Sequence, residues 1–73
     1  MPKLVPIKSR KLVKIILGLG FRERDAEGSH VFFYHSDGRT TVMPIHEEIS
    51  KGLLKKILND IKLSTEEYDK LRK

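Results

Sequence analysis

Gly28-Ser29-His30 runs straight into Val31-Phe32-Phe33-Tyr34-His35, so an imidazole stands at the mouth of an apolar strand, immediately after a glycine. Histidine is the side chain whose ordinary pKa, about 6.5, lets it give and take protons near neutrality. Serine adds a hydroxyl, and glycine lets the backbone turn sharply or approach a ligand closely. Proton-transfer chemistry is therefore the first expectation for His30, with Gly28 and Ser29 in support. An ordinary half-exposed strand start carries the same residue types, and these three residues alone leave both readings open. Ser29 suits a positioning hydrogen-bond group better than a nucleophile, because no histidine–carboxylate pair is arranged to activate it. His35 lies five residues along the strand and is expected on the opposite face. His46, one register step past the position opposite His30, is kept as a supporting residue, although alternation turns it away unless Pro44 breaks the strand.

Composition narrows the chemistry. The 73 residues include no cysteine, and the three histidines and scattered acids show no metal-ligand spacing, so neither a disulfide framework nor a metal site is expected. A chain of this length buries only about 60–65% of its unfolded surface, which argues against a deep substrate cavity. Leu12 to Leu19 is broken by Lys14 and Gly18 and is too short for a signal peptide or a membrane span. A soluble cytoplasmic protein with no membrane association is the expectation.

The fifteen Lys and Arg outnumber ten Asp and Glu, a net charge of +5 that suits a polyanionic partner. The excess is uneven. Lys8, Arg10, Lys11 and Lys14 stand in an amino-terminal stretch without an acid, and Lys51, Lys55 and Lys56 fall opposite an apolar helical stripe. These seven are the candidate RNA-binding residues. Solvated helix faces would look the same.

The elements that must position these groups follow from periodicity. Ser9 is a candidate N-cap for a helix over about Arg10 to Leu17, with Leu12, Val13, Ile16 and Leu17 on one side and Gly18 and Gly20 ending it. Phe21 to Asp25 reads as a short polar strand. His30–His35 and Thr40–Ile45 form a hairpin around Ser36-Asp37-Gly38-Arg39, whose Asp-Gly pair is a strong turn signal. A two-residue turn there would pair Phe33 with Val42 and His30 with Ile45. His30, Phe32, Tyr34, Thr41, Met43 and Ile45 would then share one face, with Val31, Phe33, His35, Thr40 and Val42 on the other. Pro44 places the last strand at a sheet edge. Ser50 caps a second helix to about Ile61, bearing Leu53, Leu54, Ile57, Leu58 and Ile61. Ser64-Thr65-Glu66-Glu67 is a capping box before a short last helix that docks through Tyr68 and Leu71. The order helix, three strands, helix, short helix is an α+β sandwich, the arrangement of double-stranded-RNA-binding domains.

Lys11-Leu12-Val13-Lys14-Ile15-Ile16, Gly20-Phe21, Gly28-Ser29-His30, His35-Ser36-Asp37-Gly38-Arg39, Val42-Met43-Pro44-Ile45-His46 and Gly52-Leu53-Leu54-Lys55-Lys56-Ile57-Leu58, in that order, resemble the HicA toxin family of messenger-RNA interferases. The resemblance covers nearly the whole chain. It implies one HicA-like domain over residues 1–73, with a double-stranded-RNA-binding-domain-like α-β-β-β-α sandwich and a short C-terminal helix. It also implies the toxin of a type II toxin–antitoxin system. Such a toxin is a metal-independent, cofactor-free endoribonuclease that cleaves single-stranded or messenger RNA without the ribosome and is held inactive by a HicB-like antitoxin. The family's catalytic histidine maps onto His30. Val31 stands where many members carry a second histidine, Tyr34 where a basic residue is common, and Ser36 where proline is frequent. The alternatives are a non-catalytic RNA-binding module of the same fold, with His30 contacting phosphate or base, and a protein-interaction module that uses its apolar sheet face.

Overall fold

A computed structural model describes residues 4–45 and 47–72; the supporting residue His46 lies outside the described residues. In chain order the elements are β1 (Ile7–Lys8), α1 (Ser9–Gly18), β2 (Arg22–Glu27), β3 (His30–Tyr34), β4 (Thr40–Pro44), β5 (Glu48–Ile49), α2 (Lys51–Asp60) and α3 (Thr65–Leu71). β2, β3 and β4 form an antiparallel meander, and β1 pairs with β5 in a separate two-stranded ribbon. The expected sandwich is present, with this ribbon in addition.

The helices cover one face of the meander. Leu12 and Ile16 of α1, Leu54, Ile57 and Leu58 of α2 with Ile61 just beyond it, and Tyr68 of α3 are buried together with Val31, Phe33 and Met43 of the sheet. In α2 this is the stripe predicted from the sequence, except that Leu53 is only half-buried. Ser50 caps the helix, its hydroxyl accepting from the Leu53 amide at 3.3 Å. Ser64 likewise accepts from the Glu67 amide at 3.1 Å, and its own hydroxyl donates to the Glu67 carboxylate, a variant of the capping box. Tyr68 docks as expected, but Leu71 stays exposed.

At α1 the helix start differs from the sequence reading. Lys8 is the N-cap residue and makes no side-chain cap. Ser9 is already helical and buried: its amide donates to the Glu47 carbonyl at 3.0 Å and its hydroxyl accepts from the Glu47 amide at 3.4 Å. Its polar atoms serve a long-range clasp to the segment leading into β5, and this clasp shifts the helix start by one residue. Leu17, expected in the apolar stripe, is 43% exposed, because burial centres on Ser9, Leu12 and Ile16.

The β3–β4 hairpin is one register step away from the sequence expectation. His30 pairs with Pro44, Phe32 with Val42 and Tyr34 with Thr40. The loop is longer than two residues: the Gly38 amide donates to the His35 carbonyl, the His35 amide to the Arg39 carbonyl, and Gly38 sits at φ +101°. This is a turn followed by a left-handed residue, a three-residue hairpin loop. Local contacts stabilise it. The Arg39 amide donates to the Asp37 carboxylate at 3.0 Å and the Asp37 amide to His35 Nδ1 at 3.1 Å. Arg39 also stacks on Phe21, 5.1 Å from the ring centroid, and donates to the Ile61 carbonyl at the end of α2. A one-residue slip exchanges the faces of a strand. Thr41 and Met43 therefore join Val31 and Phe33 in the core, while Thr40 and Val42 join His30, Phe32 and Tyr34 outside.

Candidate functional site

Sequence places His30 at the first position of β3, and the two-residue turn Gly28-Ser29 holds it there. Glu27 and His30 are register partners across that turn, and the Ser29 carbonyl accepts from the Ile45 amide at 2.7 Å. Gly28 has φ +62° at the first central position, the pattern of a type II′ hairpin. Within β2 the register shifts between Glu23 and Ala26, so two residues of β2 oppose Phe32. This bulge changes the alternation. Without it Ala26 would share His30's side of the sheet; with it Glu27 does, a re-aiming that bulges commonly perform.

The open face of the meander thus has three rows. Tyr34 lies between Arg22 and Thr40, Phe32 lies beside Val42 with Arg24 along β2, and His30 lies between Glu27 and Pro44. Directly opposed residues in antiparallel strands have Cβ atoms about 4.5–5.5 Å apart, so Glu27 and His30 are neighbours on this face, although their side chains make no hydrogen bond or ion pair with each other. His30 and Glu27 are exposed, and Phe32 and Tyr34 are 38% and 37% exposed. A groove of about 630 Å³ opens beside Phe32 and Tyr34, lined also by Arg24, Glu27, Phe33, Thr40, Thr41, Val42 and Asp60; His30 is not part of its lining. Asp60 is engaged there, accepting from the Thr41 hydroxyl at 3.0 Å and pairing with Lys56 at 3.3 Å.

The other predicted residues gather elsewhere. Lys8, Arg10, Lys11 and Lys14 line a second groove with Glu48, on the flank formed by β1 and α1. Lys51, Lys55 and Lys56 are exposed on α2, whose opposite side is in the core. The structure therefore assembles two basic regions on the helix side of the sandwich, while His30 stands on the open side of the sheet. Lys56 reaches the groove beside Phe32 and Tyr34 through Asp60. His35 belongs to neither surface: its ring meets Phe21 edge-on at 5.0 Å, in the hairpin tip. Among the described residues no group of three or more His, Asp or Glu is placed to hold a metal ion.

Sequence reading missed Arg22, Arg24 and Glu27. The sequence reads as a short polar strand over Phe21 to Asp25, whereas the strand runs Arg22–Glu27, and which of its residues accompany His30 depends on the bulge. The signal that was available is the Gly28-Ser29 turn, which fixes the Glu27–His30 pair once that turn is taken as two residues.

Helices on one face of a three-stranded antiparallel meander, with a histidine displayed on the other, define a small α+β protein of the double-stranded-RNA-binding-domain-like class. Residues 9–63 match the family described as the HicA toxin of bacterial toxin–antitoxin systems. The chain belongs to the HicA toxin family, and its fold is the one that family implies. No curated protein matches it significantly. No helix among the described residues is long and apolar enough to cross a membrane.

Proposed function

We propose that this HicA-family toxin is an endoribonuclease that cleaves messenger RNA by proton transfer through His30, and that a HicB-like antitoxin restrains it. RNA supplies its own nucleophile. A base removes the 2′-hydroxyl proton, the 2′-oxygen attacks phosphorus, and the 5′-oxygen leaves with a proton, giving a 2′,3′-cyclic phosphate and a 5′-hydroxyl end. His30 takes the first proton and returns one to the leaving oxygen. Glu27, the register partner of His30, acts as a positioning residue once its side chain turns toward the ring, where it would accept an imidazole N–H and stabilise the imidazolium, as a carboxylate does beside a catalytic histidine.

The observation that carries this reading is the exposed placement of His30 directly across from Glu27, in a chain of this toxin family. Acid–base help of this kind is worth about 10²–10⁴-fold in rate. His30→Ala is expected to lose that factor in cleavage of a messenger transcript with its melting temperature kept, since the side chain is outside the core. Undiminished cleavage by the folded variant would refute the role, and a wild-type chain that binds RNA without cutting it would leave a binding module.

A further inference from the structure

We infer that single-stranded RNA lies along β3 on the open face of the sheet, with successive bases stacked on Tyr34 and Phe32 and a phosphate carried to His30. The inference deepens the ribonuclease reading by assigning the substrate's binding surface. It begins from a feature that packing does not explain. Two large rings stand partly in solvent at alternate positions of one strand, in line with His30. Alternate strand residues are about 6.6–6.8 Å apart, comparable with the repeat of a single strand whose bases have been splayed from one another.

Charge complementarity selects the occupant. Arg22 is the register partner of Tyr34, and Arg24 lines the groove beside Phe32, so the aromatic half of the face has a cationic flank along β2. Rings beside guanidinium groups are the means by which proteins hold unstacked bases and the backbone that joins them. Acids border this half as well: Asp25 shares the bulge opposite Phe32, and Glu27 and Asp60 line the same groove, so the cationic character rests on Arg22 and Arg24 along β2. Glu27 accompanies His30 one row further on, and Asp60 at the rim is engaged by Lys56 and Thr41. A duplex presents phosphates and a shallow groove rather than base faces, so it has no use for protruding rings. Of the seven basic residues of the helix side, Lys56 reaches the rim of this surface through Asp60, and the other six would add only longer-range attraction.

The test uses the full chain carrying His30→Ala, so that RNA is bound and not cut, with a labelled unstructured 12-nucleotide RNA and the same sequence annealed to its complement. Fluorescence anisotropy is expected to show tighter binding of the single strand. Adding Phe32→Ala or Tyr34→Ala should weaken it roughly 5- to 150-fold each, the range alanine substitutions give for single stacked bases. Tyr34→Phe and Phe32→Tyr should retain affinity, whereas Phe32→Leu, which keeps apolar area without a π-face, should not. Thermal melts of each variant separate weakened binding from failed folding. Unchanged single-strand affinity in the alanine variants, or preference for the duplex, overturns the inference. So does retained RNA affinity accompanied by failure to bind a HicB-like antitoxin, which would make the face a protein-docking surface. Cleavage by the chain with His30→Ala as its sole change reports on the ribonuclease reading separately: full activity there, with stacking intact, would remove His30's role and leave the RNA surface standing.

Discussion

Replacing Gly28 by L-alanine and, in a chemically synthesised chain, by D-alanine tests what the glycine of the Gly-Ser-His motif is for. Gly28 has φ +62°, and a Cβ built there meets nothing within 4 Å. An added methyl group therefore causes no clash, and backbone strain is the whole effect. For an L-residue a sparsely populated positive-φ conformation of this kind costs about 1–3 kcal/mol. In a domain of 60–100 residues, 1 kcal/mol moves the melting temperature by about 4–8 °C, so L-alanine is expected to lower it by roughly 4–24 °C. D-alanine prefers positive φ and restricts the unfolded chain, so it should match glycine or add about 0.4–1 kcal/mol. Calorimetry gives the stabilities, and RNA cleavage well below the transition gives the function. Equal destabilisation by both enantiomers, or none by L-alanine, would refute the assignment of Gly28 to the turn. A stable D-alanine chain without cleavage would mean that glycine is needed for close approach of RNA, not for setting Glu27 opposite His30.

Other outcomes follow from the same structure. Tyr68 is fully buried, burial holds its phenol above the usual tyrosine range, and its hydroxyl has no hydrogen-bond partner among the described residues; Tyr68→Phe should therefore be neutral or stabilise by about 1 kcal/mol in urea unfolding, and a loss of 1 kcal/mol would reveal a missed partner. The Asp37 carboxyl is held below its ordinary value of 3.8, first by the Arg39 amide and then by the charges of Arg39 and His35. A depressed carboxyl stabilises the fold above its unfolded value and loses that contribution as pH falls through its folded value. Wild type should therefore melt above Asp37→Asn at neutral pH, with the gap starting to close as pH falls through about 3.8 and closing fully only below the folded value; a gap that does not shrink with falling pH would contradict this. If the basic face of α2 assists RNA binding, neutralising Lys51, Lys55 and Lys56 together should flatten the salt dependence of affinity by about one unit of slope for each phosphate that no longer meets a lysine, and an unchanged slope would make it a solvated face.

Much of the fold was legible because its determinants are local. The apolar stripe of α2, the caps at Ser50 and Ser64, the hairpin signal at Asp37-Gly38 and the Gly-Ser-His motif each depend on residues a few positions apart. Side-chain periodicity and capping then carry them into structure without reference to the rest of the chain. The order of motifs likewise carried the family. The α1 start was less legible, since Ser9 has the chemistry of a cap but is bound to Glu47, thirty-eight residues away. The β1–β5 ribbon left no mark, because two-residue strands have no periodicity to read.

At the site itself, sequence determined that a histidine follows a turn glycine at a strand start, and that Phe32 and Tyr34 share its side of β3. Which neighbours those residues have was decided by tertiary structure. A strand alternates with period two, so a single inserted residue reverses every assignment beyond it. The three-residue loop at Ser36-Asp37-Gly38 exchanged the faces of β4, and the bulge in β2 put Glu27 rather than Ala26 beside His30. Both are settled by packing across strands: burial of Met43 and Thr41 under α2, and Arg39 fastened to Phe21 and the end of α2, select the one register that fills the core. The lysines were likewise visible as charges, but the side of the sandwich they occupy follows from which helix faces are buried, and that places them across the fold from His30.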